Sequence, residues 1–295
     1  MFSPHIYRKL IHPLVTNPLT YLAGMILIRS ARKKRAKINV NHSSGSHLVE
    51  INNYAGNIKM IVDKFSYMGG SIYWSGYHHL NECLYLRKFL KKDMTFIDVG
   101  ANQGEFTLFA ANMLTNGAVY AFEPVKTNLI SLERNVKLNQ FKNVTIVPKG
   151  LYNVYNEFPI YTSYDVVLNG GRHEGLSTIY PDDYRSNLEQ MVQVIPFDDE
   201  YFDKLDRFDF LKIDIEGAEL FALQGMRKSL EKFHPQILIE LNADTVKNAG
   251  YTVTQLVQFL KELHYKSYRI FRGNLQEMEW NDQQDWGNFV FIYSK

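Results

Sequence analysis

From residue 95 onward, short apolar runs alternate with longer stretches whose apolar positions recur at helical spacing. Phe96-Ile97-Asp98-Val99 reads as a buried strand and runs into the turn Gly100-Ala101-Asn102-Gln103-Gly104. Phe106, Leu108, Phe109 and Met113 then mark an amphipathic helix. A strand over 119–122 follows, then a helix carrying Leu129, Leu132 and Val136, then a third strand over 144–147. Two more buried strands are predicted over 208–213 and 235–239, separated by a helix whose inner face is Leu220, Leu223 and Met226. Leu256, Val257, Leu260 and Leu263 mark a last helix, and 265–271 and 289–293 read as closing strands. Strands alternating with helices predict an α/β chain of the Rossmann-like kind, a mostly parallel sheet with helices on both faces.

The first 94 residues have a different rhythm. Ile6, Leu10 and Leu14 stand at helical spacing, with Pro13 and Pro18 expected to interrupt. The apolar run 19–28 is about half the ~20 residues that span a bilayer. It is followed at once by RSARKKRAK, the wrong side for the charge of a signal peptide. The polar stretch 38–47 reads as a linker, so 1–47 is a basic extension ahead of a main domain over 48–295. Two readings of that extension stay open: an interfacial segment held on anionic lipid, or a helix packed on the domain with a solvated basic tail. Val49-Ile51, Ile58-Met60-Val62 and Ile72-Tyr73-Trp74 predict a hairpin or small sheet. Leu80, Leu84, Leu86 and Leu90 predict a helix that starts beside Tyr77, His78, His79 and Glu82. Residues 152–200 hold strand pieces at 153–162 and 191–195. Between them lies the turn-rich stretch 169–178, either a substrate lid presenting Arg172 and His173 or a surface loop without chemistry.

Composition narrows the setting. The 295 residues are 45% hydrophobic, enough for a substantial core. Net charge is only +2, but residues 1–40 hold eight basic and no acidic residues, so the remainder carries −6. A negative main domain argues against a nucleic-acid substrate, which needs a basic groove. The single cysteine, Cys83, excludes an internal disulfide framework and a cysteine-based zinc site, and fits a reducing, cytoplasmic setting.

Four apolar strands end in acids: Asp98, Glu123, Asp214 and Glu240. Asp98 alone reads as a cap or turn former. Glu123 lies 19 residues past the glycine turn, where a doubly wound sheet places its ribose-binding carboxylate. Gly100 and Gly104 would let backbone approach a ligand closely. Their spacing is Gly-x-x-x-Gly rather than Gly-x-Gly-x-x-Gly, which argues against a nicotinamide-dependent oxidoreductase. Lys212 interrupts an apolar strand and needs a partner, with Asp214 or Glu216 the nearest in sequence. Carboxylates gathered at one sheet edge repel each other unless a cation sits among them, and a sulfonium with an ammonium and two ribose hydroxyls is such a ligand.

FIDVGANQGEF, YAFEP followed by NLISLERNVKLN, FLKIDIEGAEL and PQILIELN resemble, in order, the FkbM-type methyltransferases, from about Ser71 to near the C-terminus. The resemblance implies a class I fold with a seven-stranded sheet and an antiparallel final strand. The implied cofactor is S-adenosyl-L-methionine, and the implied reaction is O-methylation of a hydroxyl on a sugar, glycan or small metabolite. On that footing the backbone at Gly100, Ala101, Asn102 and Gly104 holds the methionine portion. Asp98 or Asp214 takes its ammonium, and Glu123 binds the ribose. Lys212, Glu216 and Glu240 position the acceptor and remove its proton, while Leu151 or a neighbour packs on the base. Glu216 has a second reading as partner of the following helix N-terminus. No metal is expected, because a cation-binding pocket already accounts for Asp214, Glu216 and Glu240. The alternatives are a methyltransferase acting on protein or nucleic acid, and a membrane-associated scaffold that keeps the fold without the chemistry. The expected location, from the cysteine count, is cytoplasmic, and of the two open readings of residues 1–40 the lipid-bound one would add peripheral contact on the inner face of a membrane; oligomeric state is left open.

Overall fold

In the computed structural model, which describes residues 3–36, 47–162, 167–168, 171–172, 177–280 and 286–295, the chain opens with two packed helices, α1 (Pro4–Thr16) and α2 (Tyr21–Arg35). Ser3 caps α1 by accepting the Ile6 N–H. Pro13 does not end this helix as its sequence suggests. It sits on the exposed side, while buried Ile11 and Val15 anchor the turns around it. A Cβ at Gly24 would stand 2.6 Å from Val15 Cγ1, so glycine is what lets α2 cross α1 this closely. A hairpin of β1 (Leu48–Tyr54) and β2 (Ile58–Asp63) follows, then α3 (Tyr67–Ser75) and α4 (Leu80–Phe89). The alternation at 72–74 predicts strand, but the segment is helical. Ser66 accepts the Gly69 N–H at its start, and Gly76, at φ 82°, ends it in the left-handed conformation.

Tyr7, Ile11, Val15, Ile28 and Ala31 share one core cluster with Ile51, Met60, Ile72, Phe96 and Val119. Ile11, Val15 and Ile28 alone gain about 1.5–3 kcal/mol each from burial, so the inward face of the extension is part of the domain's core. Two of its cations are buried with it. Arg8 donates to Asn53 Oδ1 at 2.6 Å and to the Tyr73 carbonyl, and Arg35 donates to Ser71 Oγ and the Ser66 carbonyl. Cys83 is buried beside the Tyr54 hydroxyl. The expected linker at 38–47 lies, except for His47, outside the described residues.

The main sheet is built from β3 (Thr95–Val99), α5 (Glu105–Met113), β4 (Ala118–Phe122), α6 (Lys126–Leu138) and β5 (Val144–Val147). An insertion follows: β6 (Gly150–Leu151), β7 (Asn156–Thr162), β8 (Val167–Leu168), β9 (Gly171–Arg172) and β10 (Asn187–Ile195). β10 pairs antiparallel with β7 and parallel with β6. Arg172 falls in β9, and His173 lies outside the described residues. The chain then returns through α7 (Phe197–Tyr201), β11 (Phe210–Ile213), α8 (Glu219–Gln224), α9 (Arg227–Phe233) and β12 (Gln236–Asn242). It ends with α10 (Ala243–Asn248), α11 (Val253–Glu262), β13 (Tyr265–Phe271), β14 (Asn274–Glu277) and β15 (Trp286–Tyr293).

The strand order is β14-β13-β15-β12-β11-β3-β4-β5. β5, β4, β3, β11 and β12 are parallel, and β15 lies antiparallel between β12 and β13. This is the expected seven-stranded Rossmann-like sheet, widened by one short edge strand, β14. The chain leaves β3 toward β4 and β5, then crosses back to β11 and β12. The order therefore reverses between β3 and β11, and such a switch point opens a crevice at the strands' carboxyl ends.

Candidate functional site

The turn after β3 owes its shape to its glycines and to Glu123. Gly100 sits at φ 76°, and a Cβ there would lie 2.0 Å from the Asp214 carbonyl, so only glycine lets the two strand ends approach. The Gly100 and Ala101 N–H groups both donate to the Phe122 carbonyl. Asn102, at φ 51°, donates its N–H to Glu123 Oε2 at 2.7 Å, while Glu123 Oε1 accepts from Val125 N–H at 2.9 Å. Burial, partly offset by these bonds, pushes the Glu123 carboxyl up to about 7. Gly100, Ala101, Asn102 and Glu123 line a cavity of about 1210 Å³. Gly104 does not. It starts α5 at φ 102°, with Leu132 where its Cβ would be.

Beneath the turn lies Lys212. Its ammonium donates to the Gly100 carbonyl at 2.8 Å and the Val99 carbonyl at 3.4 Å, and stands 3.6 Å from Asp98 Oδ1 and 3.7 Å from Asp214 Oδ2. Its partners are thus Asp98 and Asp214, not Glu216. Burial works against the charged lysine, but Asp214 and Asp98 outweigh it and hold the ammonium more firmly protonated. Asp98 is fully buried and accepts the Thr107 hydroxyl at 2.5 Å. It is absent from the cavity wall, which leaves Asp214 as the acid of this pair that a ligand's cation can meet.

Three further carboxylates complete the rim or support it. Glu216 sits at φ 53° and accepts Arg185 Nη1 at 2.8 Å, and Arg185 also holds Asp182. Thr178 donates its hydroxyl to the Glu216 carbonyl. Residues 177–187 are thereby latched across the end of β11. The backbone ahead of α8 is served by Glu219, which accepts from Ile215 and Gly217, so Glu216 does not have the capping role its position suggests. Burial, then the Asp214 charge, lifts Glu216 to about 8 against the pull of Arg185. Glu240, at the end of β12, accepts the Trp286 indole N–H at 2.8 Å; burial and Asp214 lift it to about 7.

The pair His79–Glu105 escapes a reading by sequence pattern. Glu105, the first residue of α5, accepts the backbone N–H of His78 and His79 and lies 2.9 Å from His79 Nδ1. Burial opposes the imidazolium, but Glu105 outweighs it and holds His79 at about 9. Both residues line the cavity. The double histidine before α4 was a signal; its distant partner had none, because a glutamate in a helix's first turn reads as an ordinary dipole complement. Arg185 was equally hidden. Among the described residues, no group of three or more His, Cys, Asp or Glu is arranged to hold a metal ion.

Residues 98–267 match the FkbM methyltransferase domain. The chain belongs to the FkbM methyltransferase family. It is 24% identical over 168 residues to methyltransferase 1 of Beauveria bassiana (strain ARSEF 2860), covering 50% of this chain and 65% of that protein. It is 26% identical over 174 residues to methyltransferase sdnD of Sordaria araneosa, covering 49% and 64%. The chain therefore spans less than two thirds of the length of either relative. An FkbM methyltransferase crystal structure from Methylobacillus flagellatus KT aligns over 92% of this chain and 60% of its own, with 18% identity and a TM-score of 0.47.

Proposed function

We propose that this FkbM-family protein is an S-adenosylmethionine-dependent O-methyltransferase acting on a hydroxyl of a sugar, glycan or small metabolite. One observation carries the reading. Glu123, Asp214, Glu216 and Glu240 converge on one cavity where burial raises Glu123, and burial together with the Asp214 charge raises Glu216 and Glu240, while the central cation, Lys212, is tied to backbone carbonyls. A cavity of that donor set fits a ligand with two positive centres and a diol, and its 1210 Å³ exceeds the about 300–1,000 Å³ usual for one small ligand, leaving room for an acceptor.

S-adenosylmethionine, when bound, supplies a methyl group already activated as a sulfonium. The protein's share is placement and one proton. Asp214 meets the ligand's ammonium. Glu123 keeps its two backbone N–H partners and has lone pairs left for ribose hydroxyls. Lys212 is a positioning residue that fixes the Gly100 carbonyl and so the turn. Glu240 accepts the acceptor hydroxyl's proton, its carboxyl near 7 being matched to neutral pH. His79, held charged by Glu105, faces Glu240 as a compensating cation. Arg185 and Glu216 hold the 177–187 segment over the site. The negative charge outside residues 1–40 supports a non-nucleic-acid acceptor.

Calorimetry with S-adenosylmethionine tests the cofactor, with saturable binding by the wild type and marked weakening by Glu123→Gln expected. Absence of binding overturns the reading. Mass spectrometry of glycans and metabolites from cells with and without the gene then seeks the acceptor as a one-methyl mass difference.

A further inference from the structure

The two faces of α2 differ. Gly24, Ile28, Ala31 and Arg35 are buried against the domain, and Met25, Ile28 and the exposed Arg32 line the cavity. Leu22, Ile26, Arg29 and Lys33 form the stripe opposite the buried Gly24, Ile28, Ala31 and Arg35, and all four are exposed. Leu19, at the turn before the helix, is 94% exposed, Leu22 63% and Ile26 65%. A stripe this apolar is costly in water and marks a contact surface. It extends beyond the helix. The Arg272 guanidinium lies 5.4 Å from the Tyr21 ring centre and 5.0 Å from that of Phe271, which is itself half exposed. Thus the β13–β14 turn sets a cation against the first residue of α2, with the half-exposed Phe271 ring beside it.

Charge names the occupant. Residues 1–40 carry eight cations and no acid while the rest of the chain is negative; Arg8 and Arg35 are buried, but Lys9, Arg29, Arg32 and Lys33 are exposed. Among the described residues no helix is long and apolar enough to cross a membrane. At 15 residues, α2 would extend only about 22 Å against a hydrocarbon core of about 30 Å. Exposed leucine and isoleucine, aromatic rings and cations on one face are the chemistry of an interfacial helix on anionic lipid.

We propose that the outer face of α2, together with the β13–β14 turn, docks the protein peripherally on an anionic lipid surface. One helix then separates the cavity from the bilayer. The proposal does not depend on the methyl-transfer reading.

The test is co-sedimentation of the full chain with phosphatidylcholine vesicles, with and without one third phosphatidylserine. The wild type should pellet with the anionic vesicles only and should be released as salt rises. Arg29→Gln/Lys33→Gln should weaken partition about 25-fold, roughly fivefold per lost cation. Leu22→Asp/Ile26→Asp should abolish it, with S-adenosylmethionine binding retained in both double variants. A wild type that stays in the supernatant, or variants that pellet like it, overturns the proposal. So does sedimentation velocity showing a wild-type dimer that Leu22→Asp/Ile26→Asp converts to monomer, because the face then belongs to a second copy. Failure of the wild type to bind S-adenosylmethionine would sink the methyltransferase reading and leave the partition result standing.

Discussion

The Lys212 ammonium has Asp98 at 3.6 Å on one side and Asp214 at 3.7 Å on the other. The first belongs to the floor: Asp98 Oδ2 accepts the Thr107 hydroxyl, its Oδ1 meets Lys212 only as an ion pair, and Lys212 donates to the carbonyls of residues 99 and 100. The second belongs to a rim that faces the cavity and is short of positive charge. The same residue type at two neighbouring strand ends is therefore an interior partner in one place and part of a cavity wall in the other, and depth separates the two. A buried carboxylate must find its partner inside the protein, whereas one at a cavity wall can wait for a ligand.

That contrast can be broken by substitution. The largest effect should come from Asp98→Asn, which strips the floor of a charge and leaves Lys212 buried with one carboxylate. A loss of about 3–5 kcal/mol in unfolding free energy is expected from urea titration. Asp214→Asn also takes a carboxylate from Lys212, but a partly exposed one that water can replace, so it should cost less stability than Asp98→Asn and show a clear loss of cofactor affinity; equal destabilisation by both would erase the distinction. At the rim, Glu123→Gln should cost about 1.5–3 kcal/mol of cofactor affinity by calorimetry.

The rim should also respond to pH. Glu123 and Glu240 are both raised to about 7, and Glu123 must be ionised to accept from both ribose hydroxyls, as Glu240 must be to take the acceptor's proton. Affinity should therefore be full above pH 7 and weaken below it, by up to about tenfold per pH unit for each proton that must leave. Glu123→Gln should flatten part of that slope. Smallest is the latch. Arg185→Met removes the cation from Glu216, and hydrogen exchange over 177–187 should accelerate, with about 1–3 kcal/mol of local stability lost.

Much of the sheet was legible because its strands are short apolar runs punctuated by acids, and periodicity reports burial directly. The glycine turn and Glu123 were legible because both belong to one strand-turn-helix-strand unit. Asp98 and Asp214 could not be ranked from the sequence, because a strand-end acid looks alike whether it lies at a cavity wall or is buried beneath it. Lys212 lies beside Asp98 only through the β3–β11 pairing, a contact between residues 114 positions apart that no local pattern announces. His79 with Glu105, and Arg185 with Glu216, are likewise joined by topology rather than spacing. At 72–74, capping by Ser66 and Gly76 overrode a strand-like alternation.

Cys83, sealed beside Tyr54, has its thiol pushed well up by burial and by the Glu105 charge. A thiol so hidden and so reluctant to ionise will ignore maleimides and iodoacetamides. The natural protein thus comes ready for site-selective labelling: a cysteine placed at Leu22 or Phe271 would be its single reactive handle, and a polarity-sensitive dye there would report whether that flank meets water or hydrocarbon.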